Sequence, residues 1–252
     1  MDFKARLPGS LKAVARPFVW RMSDAMAKKR GDLMPPRRLT SQVPGNFQQV
    51  GAEFSDHFRN LGGLLPDHRV LDIGCGPGRM ALPLTGFLST AGSYEGVDTW
   101  SEAVDWCVEQ ITPRFGNFRF RSLHTDVNGG CRFPYEDGEF DFAIVCAISR
   151  LDAKTYRSYV LEAGRILRTQ GVYFGTCFIS DSGPHDSGPY ASGDRGQSAR
   201  GDAPKPPFVL SEDELGATLA SAGLKIESVH RGAWAGHPAP LSYQDVVVAV
   251  RS

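Results

Sequence analysis

The chain has 252 residues, 41% of them hydrophobic and 22% charged, which suffices for one large core or two small ones and excludes disorder throughout. Lysine plus arginine and aspartate plus glutamate stand at 28 each, so no global field draws in nucleic acid, and no nucleic-acid partner is expected. The longest apolar stretches, residues 142–148 and 246–250, fall well short of the roughly 18 residues of a spanning helix.

Charge is unevenly placed. The first 40 residues hold ten Lys and Arg against three Asp, so residues 1–45 read as a basic amino-terminal arm and residues 46–252 as the main domain. Lys12, Arg16 and Pro17 interrupt what would be the apolar region of a signal peptide. Two readings of the arm stay open: a solvated helix followed by a linker, or a basic amphipathic segment that touches a membrane surface or an anionic substrate. The five cysteines (Cys75, Cys107, Cys131, Cys146, Cys177) are scattered with no C-x-x-C pair, which fits reduced thiols in a cytoplasmic protein.

After Pro35-Pro36 and Pro44-Gly45, the spacing of Phe47, Val50, Phe54, Phe58 and Leu61 predicts a helix leading into the main domain. Strand and helix then alternate. Residues 69–73 are a short apolar run, 74–78 are glycine-rich, and Met80, Leu82, Leu84 and Leu88 give 79–88 a helical spacing. The pattern repeats as strand 94–97 with helix 101–111, strand 118–122 with a turn-rich stretch, strand 140–147 with helix 156–167, and strand 171–179. Such units imply a mostly parallel, doubly wound α/β sheet covered by helices on both faces. Residues 180–207 hold five Gly and five Pro and predict a long mobile loop. Ser211 and Glu214 predict a capping box, and residues 224–230 and 243–250 two closing strands.

The segment Val70-Leu71-Asp72-Ile73-Gly74-Cys75-Gly76-Pro77-Gly78 sets an acid near a strand end, then glycines at alternate positions, then a helix. Glycine lets the backbone approach a ligand closely, and a helix amino terminus offers N–H groups to an acceptor such as a carboxylate. A second strand ends in Asp98, at the distance where a ribose is gripped. A dinucleotide loop would read G-x-G-x-x-G, whereas Arg79 follows here and Asp72 would sit beside a pyrophosphate. A nucleoside bearing a cationic amino acid suits the loop better.

Together with Val97-Asp98, Thr125-Asp126-Val127 and Phe140-Asp141-Phe142, that segment resembles the class I S-adenosylmethionine-dependent methyltransferases, over about residues 49–251. Residues 92–120, Gly232-Ala233-Trp234 and Leu241-Ser242-Tyr243-Gln244-Asp245 are similar to a bacterial small-molecule subgroup, some members of which belong to sugar or glycolipid pathways. The resemblance implies a Rossmann-like seven-stranded sheet whose last, antiparallel strand is inserted beside the sixth. It implies S-adenosylmethionine as cofactor: Gly74, Cys75, Gly76 and Gly78 under the methionine moiety, Asp72 near its amino group, and Asp98 and the adjoining Thr99 at the ribose. Asp126 and Val127 would meet the adenine and Cys146 the sulfonium. Where the subgroup has a Thr-His pair after the fourth strand, this chain has Ser149-Arg150-Leu151-Asp152.

Ligands of an open α/β sheet sit beyond the carboxyl ends of its parallel strands, where residues 149–153, 180–207 and 231–241 should converge, with 180–207 lying over the active site. Methylation of a neutral hydroxyl needs a base, and His237 and His185 are the candidates in those loops. No set of His, Asp and Glu shows metal-ligand spacing, so no metal is expected. The leading expectation is O-methylation of a sugar, glycolipid or other small natural product. The alternatives are N-methylation of a small-molecule amine, or a cofactor-binding module without turnover.

Overall fold

The protein is described from a computed structural model covering residues 33–123, 132–146, 151–180, 185–186, 208–235 and 240–252. Contacts divide the chain into two units, Met1–Phe47 and Gln48–Ser252. In the first, the described residues form one short helix, α1 (Arg37–Thr40), which begins after Pro36. The basic cluster of residues 1–32 lies outside the described residues.

The second unit is built on a seven-stranded sheet of order β3-β2-β1-β4-β5-β9-β8. Its strands are β1 (Arg69–Ile73), β2 (Ser93–Asp98), β3 (Phe118–Ser122), β4 (Phe140–Val145), β5 (Leu167–Cys177), β8 (Leu224–His230) and β9 (Asp245–Arg251). The first five pair in parallel, and β9 runs antiparallel between β5 and β8. This is the expected doubly wound, Rossmann-like arrangement with its antiparallel last strand.

Side-chain alternation assigns the two faces. On one, Phe142 and Phe174 meet α2 (Phe47–Asn60), whose Phe58 ring packs edge-on at 4.9 Å from Phe174 and 5.8 Å from Phe142. On the other, Leu71, Ile73, Ala143, Val145, Tyr173 and Val247 share a core with α5 (Ala153–Ile166) and α6 (Glu212–Ser221). Burial on both faces is why the central strands read as apolar runs. Helix α4 (Ser101–Gln110) crosses between β2 and β3 with Ala103, Val104 and Cys107 inward.

Three expectations need correction. The helix read over 79–88 is regular only as α3 (Ala81–Leu84), because Pro83 lacks an N–H and Gly86 follows; turns carry the rest, with Leu88 N–H donating to the Leu84 carbonyl. Strand β5 starts at Leu167, directly after α5, and its register against β4 shifts between the Phe140 and Phe142 pairs, with Gln170 at φ 64°. Residues 180–207 are not wholly loop: β6 (His185–Asp186) pairs antiparallel with β7 (Phe208–Val209). Phe208, Val209 and Leu210 are buried, an apolar anchor at the edge of a segment whose Gly and Pro content conceals it. The capping box of α6 is present as read, Ser211 Oγ accepting from Glu214 N–H at 3.1 Å and Glu214 Oε2 from Ser211 N–H at 3.3 Å.

Candidate cofactor and acceptor site

The chain leaves β1 through Gly74, Gly76 and Gly78, whose φ values of 88°, 50° and 77° are ones that side chains rarely adopt. Gly74 and Cys75 N–H groups donate to the Val97 carbonyl of β2 at 2.7 and 3.1 Å, and Gly76 N–H donates to Asp98 Oδ2 at 2.7 Å. The loop is thus fastened to the end of β2. The glycines divide their work. A Cβ at Gly78 would come within 2.9 Å of Ile111 Cδ1 and 3.2 Å of Cys107 Sγ, so Gly78 serves packing against α4. A Cβ at Gly76 would meet only Asp98 Oδ2, at 3.9 Å, and otherwise open space. That space, rimmed by a carboxylate and a backbone free to be approached, fits the floor of a nucleoside cofactor. Gly51 of α2 also has no room for a side chain: its Cβ would stand 2.5 Å from the Arg79 carbonyl, so the helix closes on the loop.

Asp72 is 2% exposed and accepts a hydrogen bond from the Tyr94 hydroxyl. Burial raises its carboxyl from 3.8 to about 7, with Tyr94 opposing, the charge of Asp98 adding, and Arg79 opposing. Arg79 is itself lowered by burial and drawn back by Cys146 and Asp72. Asp72 is therefore a buried acid that a cationic group would ionise. Asp98 accepts from Trp100 N–H at 2.8 Å through Oδ1 as well as from Gly76 through Oδ2. It starts the turn into α4, and each oxygen keeps a further lone pair for a ligand hydroxyl. Thr99 beside it is exposed. Cys75 is buried, and burial holds its thiol well above the ordinary range. Its side chain packs by Gly96, leaving only its backbone to the loop's outer surface.

At the carboxyl ends of β4 and β5, Cys146 follows β4 and is level with Thr176, one residue past the Val145–Gly175 pair. Burial, then the charge of Asp72, raises the Cys146 thiol, while Arg79 and Thr176 oppose. Thr176 Oγ1 donates to Gln244 Oε1 at 2.9 Å. The next residue, Asp245, is 0% exposed and gathers the strand ends. Its Oδ2 accepts from Ile179 N–H and Trp234 Nε1–H and its Oδ1 from Gly232 N–H, each at 2.7 Å. Arg231 Nε stands 3.8 Å away. Trp234 packs at 5.4 Å from the Phe178 ring.

Of the residues expected at the site, the structure brings together Asp72, Gly74, Cys75, Gly76, Gly78, Asp98 and, across the strand ends, Cys146. Asp126, Val127 and His237 lie outside the described residues, and for His185 only the backbone, in β6, is described. Asp152 caps α5, its Oδ1 accepting from Thr155 N–H at 2.7 Å. Sequence reading missed Tyr94, Thr176 and Gln244. Tyr94 belongs with Asp72 only through the parallel register that sets it opposite Val70. A groove of about 690 Å³ lined by Asp137, Arg165, Arg168, Gly223 and Arg251 sits at the other, amino end of the strands. Its guanidinium groups are spent on Asp137, Glu162, Asp141 and backbone carbonyls, so it is not the site. Among the described residues no helix is long and apolar enough to cross a membrane, and no group of three His, Cys, Asp or Glu could hold a metal ion.

Residues 70–171 match the family described as a methyltransferase domain. A probable cobalt-precorrin-6B C(15)-methyltransferase (decarboxylating) from Thermoplasma acidophilum is 35% identical over 83 residues, 32% of this chain and 38% of that protein. The match thus spans well under half the length of that relative. The 1,6-didemethyltoxoflavin-N1-methyltransferase of Burkholderia thailandensis, solved with its substrate and S-adenosylhomocysteine, is 18% identical with a TM-score of 0.54. That similarity covers 100% of this chain and 93% of the other. The [4+2]-cyclase SpnF is 19% identical with a TM-score of 0.56, covering 74% of this chain and 62% of its own. At such identities the likeness is one of fold, and a fold shared by a methyltransferase and a cyclase leaves the reaction to the site. The match opens on β1 and the glycine loop, and with the sheet order described above residues 70–171 are similar to a methyltransferase domain of the S-adenosylmethionine-dependent kind.

Proposed function

We propose that the protein methylates a hydroxyl of a sugar, glycolipid or other small natural product with S-adenosylmethionine. One observation carries the reading: beside the glycine loop, at the ends of β4 and β5 and the entry to β9, stand three uncharged hydrogen-bonding groups, Cys146, Thr176 and Gln244, and the Gln244 amide nitrogen has no hydrogen-bond partner among the described residues. Neutral groups suit a neutral oxygen acceptor. Gly74, Gly76 and Gly78 would let the backbone approach the methionine moiety, Asp72 would lie near its ammonium, and Asp98 would take the ribose hydroxyls. Asp126 and Val127 would border the adenine. When bound, the cofactor supplies an activated methyl on a sulfonium leaving group. The protein's task is then alignment and exclusion of water, which α2 and the residues around Asp245 serve. His237 or His185 would accept the hydroxyl proton. The partner is a small-molecule acceptor, reached in the cytoplasm, and the basic arm would bring the enzyme to an anionic membrane surface if that acceptor is a glycolipid.

The test is release of S-adenosylhomocysteine with and without a low-molecular-mass extract of the native cells, using cofactor labelled in its methyl group. Extract-dependent release, with the label in an O-methyl resonance, is expected. Label in an N-methyl resonance would transfer the site to amine acceptors, and no release would leave a cofactor-binding module.

A further inference from the structure

We infer that the Gln244 side-chain amide is the hydrogen-bond donor that seats the methyl acceptor by a neutral oxygen. This rests on the reading of the domain as a methyltransferase of small molecules. Gln244 Nε2 is buried, yet it has no hydrogen-bond partner among the described residues. A buried amide donor without a partner is costly, and native proteins seldom keep one that no ligand or water uses. The other end of the same amide is fixed, because Oε1 accepts from Thr176 Oγ1 at 2.9 Å. The backbone is fixed as well: Ser242 Oγ donates to the Gln244 carbonyl at 2.7 Å, and Asp245 is the fully buried hub of the strand ends. The donor is therefore held in one orientation before any ligand arrives, which lowers the ordering cost of binding.

Its position is set by the sheet register. Asp72 is opposite Ile144, and Val145 is opposite Gly175. Gly74, Cys146 and Thr176 thus stand level on adjacent strands, stepping across the carboxyl edge by about 4.8 Å each. Gln244 is joined to the far end of that row, on the side of Cys146 away from the glycine loop. A donor there takes a lone pair. An ether, hydroxyl or carbonyl oxygen satisfies it, whereas a protonated amine brings a second donor and leaves both unpaired. The chain thereby selects neutral oxygen over cationic nitrogen at the acceptor.

The probe is the low-molecular-mass extract of native cells, added to protein holding S-adenosylhomocysteine. The side-chain amide signals of Gln244, assigned by their loss in Q244E, should shift as extract is titrated in; no shift overturns the proposal even if methyl transfer is seen. In turnover, Q244M should raise the extract concentration giving half-maximal release by about tenfold, with the maximal rate within about twofold. Q244E keeps an oxygen for Thr176 but no donor, so it should lose as much, and wild-type behaviour of Q244E would refute the donor role. Calorimetry must show unchanged S-adenosylmethionine affinity for both variants; a loss there would make Gln244 a structural residue instead. Absence of release by wild-type protein would defeat the enzymatic reading separately, since the amide shift reports acceptor binding without turnover.

Discussion

The two halves of the carboxyl edge are built by different means. The cofactor half, from β1 through α4, is fastened by bonds among residues within about one βα unit: Gly74 and Cys75 to Val97, Gly76 to Asp98, Asp98 to Trp100. Its counterpart at the ends of β4, β5 and β9, where we propose that the acceptor sits, is fastened across the chain, Thr176 to Gln244 over 68 positions and Ile179 to Asp245 over 66. The first half is a motif and the second is an assembly. A motif can be inherited unchanged while the assembly beside it is rebuilt for another acceptor, which is how one fold serves many reactions.

The comparison can be broken most severely at Asp245. Asp245→Ala leaves two buried backbone N–H donors and the half-buried Trp234 indole N–H without an acceptor and removes the charge facing Arg231, which should cost about 3–5 kcal/mol in urea unfolding. Gly76→Val acts on the other half. The protein should lose roughly a hundredfold or more in S-adenosylmethionine affinity by calorimetry, because the branched side chain occupies the open space over the loop and strains a φ of 50°. Normal binding by this variant would remove the cofactor from the loop. Asp98→Ala should weaken cofactor binding by about 2 kcal/mol, through lost ribose hydrogen bonds and a loosened Gly76.

A pH titration sharpens the same contrast. Asp72 titrates near 7 in the free protein against 3.8 for an ordinary Asp, so at lower pH it is protonated and must lose its proton to face an ammonium. Cofactor affinity should rise by up to about tenfold per pH unit approaching pH 7 from below and then level, and Asp72→Asn should flatten that dependence. The sign for stability is opposite. With its folded value raised, Asp72 stabilises the free protein fully below about 4, and that contribution is lost as pH rises through about 7. The smallest effect belongs to Asp152→Ala, which removes the α5 cap and should cost about 1 kcal/mol without altering cofactor affinity.

Legibility followed the length of chain that each feature needs. The α6 capping box spans four residues, and the glycine loop with its flanking strand and Asp98 spans one βα unit, so both could be read directly. The spacing of Met80, Leu82, Leu84 and Leu88 says nothing of the hydrogen bond missing at Pro83, so the helix that it predicts after the loop is longer than the regular turn Ala81–Leu84. Residues 180–207 read as loop throughout because β6 is only two residues long and its partner, Phe208–Val209, lies beyond a run of Gly and Pro.

The sequence by itself determined the alternation of strands and helices, the parallel sheet and the place of the cofactor loop, since burial on two faces and positive φ each demand particular residues locally. Tertiary structure decided which glycine packs and which leaves room, that Tyr94 bonds the Asp72 carboxyl, and that Thr176 and Gln244 share one hydrogen bond. Those outcomes depend on strand register and on contacts between distant segments, and a polar side chain carries no local mark of the partner that burial will give it.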